Sequence, residues 1–172
     1  MMFEDCHTPK EVAQFYRNRY GLAAELSYQR AFVLTDDTVG AILMPPWLGQ
    51  QVKNSSSEGI SAPIIRHGQR GGFWIFLVGK RRGHLRNRAV PALTRHNGAI
   101  LPPRSAVWLP MTDAGLGWTW HSPPRLGAFL PARTEVLHLA LVVIDHAEAA
   151  PDPLHNTAIA VRDPASARTA RR

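Results

Sequence analysis

The hydrophobic and polar positions of the first third of the chain predict a helix, two strands and a second, shorter helix. A capping box with proline at the first helical position predicts a helix over 8–21. The apolar stretches 22–34 and 39–44 are typical of strands, and the polar turn between them favours an antiparallel hairpin. A short helix is predicted from Pro46 to about Lys53, because proline is favoured in the first helical turn.

The middle of the chain predicts two more strands, 62–67 and 73–78. The glycine-rich segment between them, 68–72, is typical of a hairpin connection. The run Phe-Trp-Ile-Phe-Leu-Val at 73–78 is apolar throughout. We therefore expect it to be a central strand that is covered on both faces.

The last third predicts short strands and a long helix. A short helix at 87–96 is weakened by Pro91, and short extended segments follow at 99–101, 106–109 and 118–120. The segment 134–149 is apolar nearly all round, and its length favours a buried helix, although the β-branched residues within it are also compatible with a strand.

These elements predict one α+β domain over 1–150, with a mixed, largely antiparallel sheet and three to four helices. The prolines, alanines and arginines of 151–172 have no apolar periodicity and predict a disordered basic tail. No run of about 18 apolar residues is present, so no membrane-spanning helix is expected. The acidic N-terminus is unlike a signal peptide, so a cytoplasmic location is predicted.

The positive charge is concentrated in one part of the chain. The net charge is +7, and the 54 residues of 59–112 carry nine basic side chains and no acidic one. This segment therefore pairs with acids elsewhere in the fold, is solvated, or meets an anionic partner. The densest cluster is a glycine-interrupted and therefore mobile loop, in which the cations are Lys80, Arg81, Arg82, Arg86 and Arg88. Such a loop can follow phosphates, and its alternative role is to keep the protein soluble.

Other candidate chemistry is sparse. The eight histidines have no metal-ligand spacing, and the single cysteine, Cys6, excludes a disulfide and a cysteine-cluster metal site. No Walker or nucleophile-elbow motif is present, so no catalytic residue, metal or cofactor is predicted. Arg66, His67 and Arg70 are candidate contacts for a small anionic ligand beside the glycine-rich segment. Trp118 and Trp120 are candidates for base stacking, although core contacts are the favoured interpretation.

The order of several apolar and proline-rich stretches carries a family resemblance over about 30–148. The stretches are Val39–Pro45 with Leu48-Gly49, Ala62–Ile65, Trp74–Val78, Ala99–Pro103, Trp118–Pro124 and Thr134–Leu137. In this order the chain resembles small actinobacterial proteins related to the bifunctional DNA primase/polymerase N-terminal domain. The resemblance implies a site where a D-x-D pair and a further acid hold two metal ions. Asp36-Asp37 lacks the intervening residue, so only the shape and the basic surface of that family are expected.

Three functions follow as hypotheses. The leading one is a non-catalytic accessory protein that contacts nucleic acid or another polyanion through the loop from Lys80 to Arg88. The second is a protein-protein interaction module, in which the acidic flanks and the arginine surface meet a partner or a second copy. The third is a binder of a small anionic ligand at Arg66, His67 and Arg70.

Overall fold

The computed structural model describes residues 2–55, 61–67, 72–112 and 117–149, which form an α+β fold. The predicted tail, 151–172, and most of the glycine-rich connection lie outside the described residues. The helices are α1 Pro9–Tyr20, α2 Pro46–Ser55, α3 Ala89–Arg95 and α4 Arg133–Ala149. The strands are β1 Ala24–Ser27, β2 Arg30–Leu34, β3 Gly40–Met44, β4 Ile64–His67, β5 Trp74–Val78, β6 Ala99–Ile100, β7 Ala106–Trp108 and β8 Trp118–Ser122. None of these helices is long and apolar enough to cross a bilayer.

The described strands form two sheets. One has five strands in the order β6-β3-β5-β4-β8, and the other has three in the order β1-β2-β7. Every pair of neighbouring strands in them is antiparallel. The parallel contact that the structure shows is an isolated bridge between Gly79 and Ala132. The predicted α+β class with a largely antiparallel sheet is thus confirmed, with the strands divided over two sheets.

The first hairpin lies earlier in the chain than predicted. The stretch 22–34 is two strands, because Tyr28 and Gln29 turn the chain with φ of 47° and 62°. Two consecutive positive φ angles are what a tight two-residue hairpin turn requires. The predicted hairpin between 22–34 and 39–44 is wrong, since β2 and β3 belong to different sheets. The polar turn between them carries the chain from one sheet to the other.

The strand β5 is central, as its apolar sequence predicted. Trp74, Phe76 and Val78 face a core under the helices α2, α3 and α4, and the alternate residues Ile75 and Leu77 face a second core. That second core is closed by α1 and the three-stranded sheet. Because both faces of the five-stranded sheet are covered, its central strand contains no polar residue.

The helix ends follow their sequence signals. Glu11 donates its backbone N–H to Thr8 Oγ1 over 3.3 Å, and Thr8 donates its own N–H to Glu11 Oε2 over 2.9 Å. Pro91 is tolerated in α3 because it is the third residue, where the helix has no carbonyl for its N–H to reach. The segment 134–149 is a helix and not a strand, with seven buried residues.

Candidate nucleic-acid interface

The basic loop, Gly79–Arg88, runs from the end of β5 to α3 and passes the first turn of α4. Gly79 donates its N–H to Pro131 O over 2.8 Å, and Arg133 donates its N–H to Lys80 O over 3.4 Å. The buried Thr134 donates its hydroxyl to the carbonyl of Arg82. The Arg86 N–H donates to His138 Nε2 over 3.4 Å. The sequence predicted a mobile loop, but its backbone is held at four points. Its side chains are therefore presented from a defined path.

Four cations of the basic loop are exposed: Lys80, Arg81, Arg82 and Arg86. Within the described ranges none of them forms an ion pair with a carboxylate. Arg88 differs, because its Nη2 lies 2.5 Å from Oδ2 of Asp145 on α4. The fold thus neutralises one of the five predicted contacts and leaves four available to an external anion.

A cleft of about 590 Å³ opens beside the basic loop. Its lining includes Lys80 and Arg82 of the basic loop, Arg19 near the end of α1, and residues of the segment before α4, namely Gly127–Leu130 and Ala132. No acidic residue is among the described residues that line it. Three cations facing one acid-free cleft give a positive potential that favours an anionic occupant.

Two aromatic side chains line this cleft, the partly buried Tyr20 and Phe129, which is 92% exposed. Leu126, in the same segment, is 60% exposed. The exposed phenyl ring of Phe129 buries little apolar area in the fold and so contributes little to its stability. Its free face can take up a flat, apolar ring from a ligand whose anionic part lies on the cations.

A second arginine contact fixes the wall of the cleft that contains Thr38 and Val39. The guanidinium of Arg133 lies against Gly40, where an added Cβ would be 2.4 Å from Nη2. The same Nη2 donates to the carbonyl of Asp36 over 3.3 Å. The Nε atom is buried and has no hydrogen-bond partner among the described residues. Only glycine at position 40 leaves room for this contact.

The adjacent acids Asp36-Asp37 do not form a metal site. Asp36 Oδ1 accepts the Thr38 hydroxyl at 2.7 Å and the N–H groups of Thr38 and Val39 at 2.6 and 2.7 Å. These bonds, and more weakly the nearby Lys80 charge, hold the pKa of the Asp36 carboxyl below its ordinary value. Across the part of the chain that the structure describes, no three His, Cys, Asp or Glu side chains group around a common point.

The residues predicted for a small anionic ligand lie elsewhere. Arg66 is exposed on β4 and pairs with Trp74 at the start of β5, whereas the basic loop follows the end of that strand. His67 is the last residue of β4, and Arg70 lies outside the described residues. The structure therefore places Arg66 and the basic loop at opposite ends of β5.

The tryptophans of β8 have structural contacts. Trp118 and Trp120 pack against the core between the two sheets. The indole N–H of Trp120 donates to the Tyr16 hydroxyl over 2.8 Å, and that hydroxyl donates to Pro110 O over 2.7 Å. The favoured interpretation, core contacts over base stacking, is confirmed. The exposed ring at the interface is Phe129 instead.

Two members of the interface were missed from the sequence. Arg19 is one of several arginines near the end of a predicted helix, and nothing local indicates that it faces a loop sixty residues away. Phe129 carried a detectable signal, because an aromatic residue follows the turn-forming Pro123-Pro124 and Gly127 with no strand or helix pattern around it.

Comparison of the chain with protein-family models, with curated proteins and with solved structures gives no match. The resemblance to the primase/polymerase family therefore stays a prediction.

Proposed function

We propose that this protein binds nucleic acid without catalysis, with the basic loop on the phosphates and the cleft on an unpaired base. The observation that carries the proposal is the set of four exposed cations without carboxylate partners, held on one anchored loop. Cations with no internal partner release counterions from a phosphate backbone at no cost in broken ion pairs.

The cleft beside the basic loop is the reason to expect a preference for single-stranded nucleic acid. Lys80 and Arg82 belong both to the loop and to the cleft lining, so a strand whose phosphates follow the loop has its next base beside the cleft. Phe129 offers that base a stacking surface, and stacking of this kind contributes about 1–3 kcal/mol per base. A base inside a duplex is already stacked and paired. We therefore expect single strands to gain from Phe129 and duplexes to gain nothing from it.

The first test is fluorescence anisotropy with labelled single-stranded and duplex DNA and RNA at low salt. Joint replacement of Lys80, Arg81, Arg82 and Arg86 by alanine is expected to weaken binding to all of them by at least about tenfold. A control variant loses the same charge elsewhere on the surface, at Lys10, Arg30, Arg95 and Arg104. Equal affinities for the two variants, or no binding by the natural chain, would refute the proposal.

The second test separates the cleft from the loop. Phe129→Ala is expected to lower the affinity for single strands by about tenfold and to leave duplex binding unchanged. Leu126→Ala is the matched control, because it removes an exposed apolar side chain from the same segment without removing a ring. If Phe129→Ala behaves like Leu126→Ala, the base-stacking part of the proposal is wrong and the loop part stands.

A further inference from the structure

A second positive cluster lies at the other end of the central strand, on the helix side of the five-stranded sheet. Along β4, Ile64 faces the core under the helices and Ile65 the opposite core, so Arg66 lies on the helix side. On β8 the register shifts at His121, and the contact of its ring with Trp74, a residue of the core under the helices, places His121 on the helix side as well. The last turn of α2 brings Lys53 to this face.

The contact between Lys53 and His121 defines the protonation of the imidazole. Lys53 Nζ lies 2.9 Å from His121 Nε2. Because an ammonium group can only donate, Nε2 accepts, and the ring of His121 is neutral with its proton on Nδ1. The ring also lies against Trp74, with 4.1 Å between the ring centroids. The imidazole is thus held in one orientation, between an aromatic ring and a cation.

The charges that act on the imidazole of His121 are those of Lys53 and Arg66, and both are positive. Burial, followed by the charges of Lys53 and Arg66, lowers the pKa of His121 below its ordinary value. Among the residues that the structure describes, no carboxylate pairs with Lys53, Arg66 or His121. Elsewhere in the molecule the fold does supply acids, as for Arg88 with Asp145 and for His96 with Glu148. Lys53, Arg66 and His121, from three different elements, come together without a carboxylate partner among the described residues.

We propose that Lys53, Arg66 and His121 form a binding site for a small oxyanion, either inorganic phosphate or sulfate. The two permanent cations supply the charge and the hydrogen-bond donors, and His121, which accepts from Lys53, holds the ammonium group at this face. Like charges on one face repel each other, and an oxyanion that contacts both reduces the repulsion. The site is independent of the proposed nucleic-acid interface, because the basic loop contributes no residue to it.

The bound anion is expected to change the titration of His121, since a nearby negative charge favours the imidazolium form. The measurement is the pH titration of the His121 C2 proton by NMR on the full chain, with the signal assigned by its absence in His121→Gln. Titrations in sodium sulfate and in sodium chloride are compared at equal ionic strength. Sulfate, but not chloride, is expected to raise the pKa of His121 by about one unit, with saturation as the sulfate concentration rises.

Variants make the test specific to the three residues. Arg66→Gln is expected to weaken the response to sulfate and to inorganic phosphate at least several-fold, and Arg95→Gln, the removal of a distant exposed arginine, to leave it unchanged. Lys53→Met is expected to raise the pKa of His121 in the absence of any oxyanion and to reduce the further response. The proposal fails if sulfate and chloride give the same titration, or if Arg66→Gln responds like the natural chain. Because no nucleic acid is present, neither result bears on the proposed function.

Discussion

Asp36 stabilises the point at which the chain leaves one sheet for the other. Its carboxylate accepts three hydrogen bonds from Thr38 and Val39, and these bonds are the main cause of its lowered pKa. A carboxyl whose pKa is lower in the folded than in the unfolded state stabilises the fold above the unfolded pKa of about 4. The contribution disappears as the pH falls through the folded value, when the group is protonated in both states.

Asp36→Asn is therefore expected to be less stable than the natural chain at pH 7 and to approach it in stability as the pH falls through the lowered pKa of Asp36. Urea unfolding at a series of pH values measures the difference. Asp37→Asn is the control, because it removes the same charge from a carboxylate that accepts none of the three hydrogen bonds. A destabilisation by Asp36→Asn that persists unchanged in acid would contradict the electrostatic origin.

At the scale of single residues, the sequence predicted contacts between residues that are close in the chain. The partners of the capping box, Thr8 and Glu11, are three positions apart, and this contact was predicted correctly. The ion pair of Arg88 with Asp145 joins residues 57 positions apart, and the contact of Lys53 with His121 joins residues 68 apart. Such contacts depend on how the helices and strands pack against each other, so no local sequence pattern predicts them.

Among the elements, the contact between α4 and the basic loop determines whether the loop has a fixed shape. The buried hydroxyl of Thr134 donates to the Arg82 carbonyl in the middle of the cationic run. Without that donor the carbonyl loses its partner at a part-buried position. Leaving such a group unsatisfied costs about 1–3 kcal/mol.

Thr134→Val, which keeps the shape and removes the hydroxyl, is expected to lower the unfolding free energy by about 1–3 kcal/mol. Faster hydrogen exchange of the amides in 80–88 is expected with it, because the loop loses one of its four anchors. Thr134→Ser retains the donor and should leave loop exchange close to that of the natural chain. If valine and serine give the same exchange rates, the hydrogen bond does not hold the loop.

The elements themselves were largely predictable, because their burial patterns are strong. The all-apolar β5 is the clearest example, since a strand covered on both faces has to be apolar throughout. The hairpin turn at Tyr28-Gln29 was not predictable, because neither residue is typical of positive φ. The division of the strands between two sheets followed from that turn and was missed with it.

For the whole molecule, the decisive property is the separation of positive and negative charge. The acid-free segment 59–112 obtains few counter-charges from the fold, and four of the five cations of the basic loop form no ion pair with a carboxylate among the described residues. Binding to a nucleic acid then depends on how many counterions are released. That number is measured by the change of the association constant with salt concentration.

For duplex DNA, each phosphate contact adds about −0.9 to the slope of log K against log salt concentration. If Lys80, Arg81, Arg82 and Arg86 each neutralise a phosphate, replacing all four by alanine reduces the steepness of this slope by about 3.6. Arg88→Ala is expected to change it by less than about 1, because Asp145 already neutralises this arginine. Anisotropy titrations at several salt concentrations give all three slopes. A quadruple variant that binds more weakly with an unchanged slope would show that the loop shapes the surface and makes no phosphate contacts.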